Sequence, residues 1–220
     1  GLPLGAKPHG MRYVLQLHDL FQLTHINHHG SRLKEKVYRT SDQLSIGHSI
    51  KVADRIWTPS QYTADEVVKR FPGAKDKVRV LPNLVSGFVG EPADISELNL
   101  PARYWLAVGT REPRKNIPWL VKAWQAARQR SQQVPELVLV GAREHLPEPL
   151  QSLAGLHFLS DLTDAQLHAV YQHAERLWQP SYAEGFGLPV IEALSVGTSV
   201  AVASGSALDE ITPAQSPRFS

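Results

Sequence analysis

Two hundred and twenty residues exceed one small domain and fall short of two full domains of about 150 residues each, so one complete domain plus part of another is expected. Apolar residues make up 42% of the chain and charged ones 20%, which excludes wholesale disorder and collagen-like or coiled-coil fibres. The balance of 23 Lys+Arg against 21 Asp+Glu leaves a net charge of +2, too small a field to draw the chain onto nucleic acid, and the absence of cysteine excludes disulfides, thiolate metal sites and a cysteine nucleophile.

No run approaches the roughly 18 to 20 consecutive apolar residues of a membrane-spanning helix. Gly1 to Gly10 (GLPLGAKPHG) lacks the apolar core of a signal peptide. Cysteine usage fits a reducing compartment, so a cytoplasmic location is expected. The chain begins with Gly and stops at Pro217-Arg218-Phe219-Ser220 with no closing helix, which reads as a segment of a longer protein.

In chain order, Tyr13–Leu17 (YVLQL) reads as a strand and Ser31 to about Ala53 as a helical stretch whose continuity Gly47 leaves open. Arg55–Thr58 makes a second strand. Ser60 can cap a helix running towards Phe71, which Pro72-Gly73 ends, and Val78–Leu81 makes a third strand. From Asn83 to Ala102 periodicity vanishes and Gly, Pro and acidic residues accumulate, as in a linker. Alternation resumes at Tyr104–Val108, followed by a helix from Ile117 to Arg130 whose Ile117, Leu120, Val121, Trp124 and Ala127 form one stripe. Strands follow at Leu137–Val140, Leu156–Leu159 and Arg176–Gln179, with Thr163 and Gln166 offering a capping box to a helix ending near His173. A helix from Leu188 to Ser195 and a strand at Ser199–Ala203 close the series. Short β-branched runs alternating with helices are the mark of an α/β fold with a doubly wound parallel sheet, here about five strands in the second half and three in the first. The expected division is a partial N-terminal Rossmann-like domain over 1–85, a linker over 86–103 and a C-terminal domain over 104–220 without its last helices.

In such a fold ligands lie beyond the carboxyl ends of the strands, so the informative loops are those after strands. The first is Gly109-Thr110-Arg111-Glu112-Pro113-Arg114-Lys115-Asn116. Gly109 permits close approach of a ligand, and Arg114 and Lys115 arrive together at a helix N-terminus, where two cations repel unless an anion such as phosphate lies between them. The second is Pro180-Ser181-Tyr182-Ala183-Glu184-Gly185-Phe186-Gly187-Leu188-Pro189, leading into a helix that carries Glu192. Gly185 and Gly187 free the backbone to turn amides towards a bound group, and ionised Glu184 and Glu192 accept hydrogen bonds from hydroxyls, for which a vicinal diol is the natural partner. Phosphate on two cations and hydroxyls on two carboxylates describe a nucleotide-linked sugar.

These two stretches, VGTREPRKNI (Val108 to Ile117) and PSYAEGFGLPVIEAL (Pro180 to Leu194), resemble the C-terminal domain of the retaining family 4 glycosyltransferases, which have the GT-B fold of two facing Rossmann-like domains. HDL at His18–Leu20, TPSQYTADEV at Thr58–Val67, VLPN at Val80–Asn83, LVLVG at Leu137–Gly141 and DAQLHAVY at Asp164–Tyr171 keep the family's order. The resemblance implies transfer of a hexose, mannose among the candidates, from a nucleoside diphosphate sugar to a saccharide or lipid-linked acceptor in polysaccharide or lipopolysaccharide assembly. It implies retention at the anomeric carbon, no essential metal and no cofactor beyond the donor itself, and work at the inner face of the membrane. By position, Arg114 and Lys115 would bind and stabilise the diphosphate, Glu184 would contact the transferred sugar, and Glu192 would take the ribose hydroxyls. Gly109, Thr110 and the backbone of Phe186, Gly187 and Leu188 would complete the donor cradle, with His18 facing the sugar from the first domain. Asn83-Leu84 stands where the family usually has Asn-Gly, and Ser160 where a Gly often follows the Phe-Leu strand, two departures that bear on base recognition. The family's opening strands, its first Gly-rich loop and its final crossing helix are missing from the sequence, so the implied activity, and any peripheral membrane contact, belongs to a longer protein.

Competing readings fare less well. His25, His28 and His29 suggest a metal, yet no Cys or clear carboxylate completes a ligand set. The five tryptophans mostly occupy apolar strand or helix positions, where packing explains them. No Gly-x-Ser-x-Gly nucleophile elbow occurs. The alternative of another class is a non-catalytic or truncated sugar-nucleotide-binding module; a third keeps the fold and changes the reaction to phosphorolysis or sugar-nucleotide epimerisation.

Overall fold

A computed structural model describes residues 10–24, 32–85 and 87–220. Contacts divide the chain into two units, Gly1–Asn83 with Glu184–Phe186, and Leu84–Ala183 with Gly187–Ser220.

The first unit is a three-stranded parallel sheet in the order β1 (Val14–Gln16), β2 (Arg55–Thr58) and β3 (Val78–Val80), in register at Leu15↔Ile56 and Ile56↔Val78. A single turn, α1 (Phe21–Thr24), and a long helix, α2 (Arg32–Val52), lie between the first two strands. The third helix, α3 (Gln61–Arg70), starts where Ser60 Oγ accepts the Thr63 N–H at 3.1 Å and ends before a 3-10 turn over Pro72–Ala74. Helix α2 runs unbroken through Gly47, which settles the continuity that the sequence left open. A Cβ at that position would lie 3.3 Å from Cε1 of Phe71, so the glycine there makes room for a ring rather than a bend. Leu17, Leu20, Ile46, Ile50, Ile56 and Val67 form the core of this unit.

In the second unit, the described residues between 84 and 103 contain no strand and one 3-10 turn, Ser96–Leu98. They are not a free tether, however: Phe88, Ile95, Leu98 and Leu100 pack on the core, and the Ala93 N–H bonds to the Ala165 carbonyl at 3.0 Å. The apolar residues are too widely spaced to show a period, which is why composition alone suggests a linker.

The remaining chain alternates β4 (Tyr104–Val108), α4 (Ile117–Arg130), β5 (Glu136–Val140), β6 (Leu156–Leu159), α5 (Asp164–His173), β7 (Arg176–Gln179), α6 (Leu188–Ser195), β8 (Val200–Ala203), α7 (Leu208–Ile211) and β9 (Arg218–Phe219). All pairings are parallel in the order β6-β5-β4-β7-β8-β9. Both faces are covered. Consecutive residues Leu106 and Ala107 enter different clusters, Leu106 with Val138, Val170 and Leu177 and Ala107 with Ile117, Val121, Trp124, Leu137 and Leu139, as the two-residue period of a strand requires. Helix α5 has the full capping box of Thr163 and Gln166, and Trp124 anchors α4 by donating from Nε1 to the Pro135 carbonyl at 2.9 Å.

Two features depart from expectation. The sheet has six strands rather than five, because Arg218–Phe219 pairs with β8, and a short helix, α7, precedes it. Two residues carry no periodic signal; pairing with β8 makes them a strand. Trp57 and Trp119 also keep 39% and 42% of their surface exposed, so packing accounts for only part of the tryptophans; Trp119 stacks on Phe219 at 5.4 Å.

From β4 the sheet grows to one side through β5 and β6 and to the other through β7, β8 and β9. In open α/β sheets such a reversal marks the place of a ligand, here beyond the carboxyl ends of β4 and β7. The two loops singled out in the sequence follow these two strands.

Candidate functional site

Strand β4 ends at Gly109, whose φ of +91° is a conformation glycine adopts without strain. Its N–H bonds to the Val140 carbonyl at 2.8 Å. Thr110 is buried, with Oγ1 donating to the Ala142 carbonyl at 3.0 Å and lying 3.1 Å from His145 Nδ1. Gly141 at the end of β5 makes this approach available, since a Cβ there would lie 2.9 Å from the Thr110 nitrogen.

Arg114 and Lys115 occupy a 3-10 turn, Pro113–Lys115, and Asn116 in left-handed conformation (φ 54°) separates them from α4. They therefore lie just before the N-terminus of α4, which starts at Ile117 as the sequence indicates. The expected repulsion between them is also relieved by the protein. Arg114 Nε and Nη2 both reach Glu112 Oε2, at 2.8 and 2.7 Å, and Nη1 donates to the Ala183 carbonyl at 3.2 Å. Lys115 is 8% exposed and donates from Nζ to the Val108 carbonyl at 3.2 Å. Each cation thus has an acceptor of the protein's own, which the sequence argument assigned only to a bound anion.

The two loops are tied together. The Tyr182 N–H bonds to the Arg114 carbonyl at 2.9 Å and the Tyr182 hydroxyl donates to Asn116 Oδ1 at 2.8 Å, beside the Arg114 bond to Ala183. The turn that carries the cations is therefore held against the loop after β7, at the switch point of the sheet. Glu112 and Tyr182 were not among the residues expected from sequence; the charge of Glu112, two positions before Arg114, is the signal that could have found it.

Glu184 is 6% exposed. With Gly185 and Phe186 it groups with the first unit, where the Gly185 carbonyl accepts from Ser60 Oγ at 2.7 Å and Thr63 Oγ1 at 3.3 Å. A Cβ on Gly185 would overlap the carbonyl oxygen of His18, whose exposed side chain follows β1. Gly187 (φ +98°) precedes α6, and a Cβ there would lie 2.7 Å from Leu208 Cδ2, so only glycine lets the helix start so close to α7. Leu188 is exposed in the first turn of α6, and Glu192 lies one turn further on. The half-buried Glu192 carboxylate accepts from the Tyr171 hydroxyl at 2.8 Å through Oε2. Burial, and then the neighbouring Glu192 carboxylate, push the Tyr171 phenol well above its ordinary pKa, so it remains a proton donor at neutral pH.

The structure thus brings Gly109, Thr110, Arg114 and Lys115 together and ties them to Ala183. It sets Glu192 on Tyr171 and places His18, Glu184 and Phe186 in the first unit. Among the described residues no group of three or more His, Cys, Asp or Glu could hold a metal, and His25, His28 and His29 lie outside them. No helix among the described residues is long and apolar enough to cross a membrane.

Comparison with known proteins assigns the family. The model of the family described as glycosyl transferases group 1 matches residues 90–216, and that of glycosyltransferase family 4 matches residues 1–86. The chain belongs to the glycosyl transferases group 1 family. It is 29% identical over 220 residues to the O-antigen chain mannosyltransferase B of Escherichia coli, covering 93% of this chain and 56% of that protein. It is 31% identical over 182 residues to the serotype-specific mannosyltransferase WbdA of Escherichia coli, covering 72% and 22%. The chain therefore spans about half the length, or less, of these relatives. The α/β, GT-B type fold read from the sequence is shared with solved members of this class. Sucrose-phosphate synthase of Thermosynechococcus elongatus superposes with a TM-score of 0.66 at 22% identity, over 90% of this chain and 52% of that one. Anabaena HepE, solved with UDP and glucose, gives 0.67 at 18% identity, over 95% and 58%.

Proposed function

We propose that the protein to which this chain belongs transfers a hexose, mannose first among the candidates, from a nucleoside diphosphate sugar to a saccharide or lipid-linked acceptor in polysaccharide assembly. The observation that carries the reading is the tie between the Arg114 turn and the loop after β7, which presents two cations at the crevice where an open α/β sheet takes its ligand. Arg114 and Lys115 bind the diphosphate. As the bond from the anomeric carbon to the phosphate oxygen breaks, negative charge grows on that oxygen, and fixed cations stabilise it without metal. Such preorganised stabilisation is worth about 3–4 kcal/mol per donor. By the resemblance of their motifs, His18 and buried Glu184 are assigned to the transferred sugar and Glu192 to the ribose hydroxyls. The names of the relatives support mannose and O-antigen synthesis; retention at the anomeric carbon is proposed from the motif resemblance alone.

The test is an assay of the full-length protein with GDP-mannose and UDP-glucose, with the product's anomeric configuration read by NMR. Transfer with retention, undiminished by chelator and lost in Lys115→Ala with an unchanged melting curve, supports the reading. An inverted product or dependence on a divalent ion overturns the corresponding part, and donor binding without transfer favours a sugar-nucleotide-binding module instead.

A further inference from the structure

The second unit buries two phenols completely, and they end on different kinds of acceptor. Tyr104, on β4, donates its hydroxyl to the Val170 carbonyl at 2.7 Å, a bond that joins strand to helix inside the core. Tyr171, the eighth residue of α5, is equally inaccessible, yet its hydroxyl reaches out of the core to Oε2 of Glu192 at 2.8 Å. A buried hydroxyl without a partner is costly, so phenylalanine would suit the site better were packing the only demand. Its ring is already positioned by Phe88, with centroids 5.5 Å apart, and its carbonyl by Thr198 Oγ1, which donates at 2.6 Å. The hydroxyl adds nothing to those contacts. What it does is hold one oxygen of a half-buried carboxylate.

We infer that Tyr171 is a positioning residue for Glu192: its phenol fixes the carboxylate through Oε2 and leaves Oε1 directed to the hydroxyl pair of a ribose. This inference rests on the reading of Glu192 as the ribose acceptor. A glutamate has three side-chain torsions, and on the surface of α6 an untethered one would sample several rotamers. The Tyr171 bond, supplied from beneath by a group with no freedom of its own, restricts that sampling before the ligand arrives. A bond from a neutral donor to a carboxylate is also strong enough to orient it while leaving its charge in place.

The experiment compares the affinity of the full chain for UDP or GDP, whichever binds more tightly, with that for its 2′,3′-dideoxy counterpart and for inorganic pyrophosphate. Glu192→Gln tests the underlying reading: loss of the preference for ribose supports it, and an unchanged preference overturns it whatever Tyr171 does. Tyr171→Phe, which keeps the ring and its contact with Phe88, tests the inference. The preference for ribose over dideoxyribose should fall about tenfold while pyrophosphate affinity stays constant. An undiminished preference overturns the inference, as does an equal loss of affinity for all three ligands, which is the pattern of general structural damage. A second measurement leaves the side chain whole. With 3-fluorotyrosine at position 171, the ¹⁹F resonance should move on binding the nucleoside diphosphate and stay fixed with pyrophosphate or the dideoxy compound; the same shift with all three counts against the inference.

Discussion

Lys115 folds back over Gly109. Its Nζ donates to the Val108 carbonyl at 3.2 Å, and a Cβ on Gly109 would lie 2.9 Å from its Cδ and 3.0 Å from its Cε. The strand-end glycine therefore serves two needs at once, a left-handed backbone and a floor low enough for a cationic side chain to lie across it.

Gly109→Ala should accordingly cost more than backbone strain alone. The left-handed conformation accounts for about 1–2 kcal/mol, and displacement of the Lys115 stem adds to it. For a chain of this size the melting temperature should fall by about 2–4 °C per kcal/mol. Donor affinity should fall too, because Lys115 is the group displaced. In a Lys115→Ala background the steric part should vanish and the strain remain, a difference read from two melting curves.

The guanidinium of Arg114 is engaged through all three nitrogens, on Glu112 and on the Ala183 carbonyl. An ammonium cannot span both acceptors from one position, so Arg114→Lys should not behave as a conservative change. Turnover should drop by about 10²–10³, close to the loss in Arg114→Ala, with little change in stability. Recovery of most of the activity in Arg114→Lys would show that only charge is required.

Glu112 is the half-exposed partner of that guanidinium, with 52% of its side chain accessible. A pair this open contributes about 0–1 kcal/mol, so Glu112→Gln should leave the melting temperature nearly unchanged. Removing a negative charge beside the proposed diphosphate site should strengthen binding of a nucleoside diphosphate, by about two- to fivefold at low salt. The gain should shrink towards 1 M salt, where the screening length falls to about 3 Å, which calorimetry at two ionic strengths would reveal.

Thr163→Ala removes the capping box at the start of α5, where Thr163 Oγ1 accepts from the Gln166 N–H at 3.2 Å. The loss should be about 1 kcal/mol. Tyr171 lies at the far end of the same helix, so nucleotide binding should persist, and the two readouts, thermal unfolding and affinity, should separate.

Much of this architecture is legible locally. Arg55–Thr58, Tyr104–Val108, Leu156–Leu159 and Arg176–Gln179 are strands over the very residues their patterning marks, and α4 and α6 run as their periodicity and flanking residues indicate. Alternation, helical spacing, N-caps and helix-starting prolines act within a few residues of one another, so they are written in the order of the chain. The two loops carrying Arg114, Lys115 and Glu184, and the helix start that carries Glu192, are legible for a related reason: a strand end, a glycine and a helix start recur as one short unit.

Other features exist only once distant segments meet. Gly47 leaves the helix's continuity open and becomes a seat for Phe71; Arg218–Phe219 has no strand signal and is made a strand by β8; residues 84–103 read as a linker and contribute Phe88 to the core. At the site, the Ala183 acceptor of Arg114 and the phenol beneath Glu192 follow from where Ala183 and Tyr171 come to lie, 69 and 21 residues away in sequence, whereas the Glu112 acceptor is a near neighbour along the chain. The amino-acid order by itself determined the elements, their caps and the charge of the two loops, because these depend on neighbours along the chain. Which atoms face those charges was decided only by the tertiary structure, because hydrogen bonds between loops depend on sheet order and packing, over separations that no local pattern encodes.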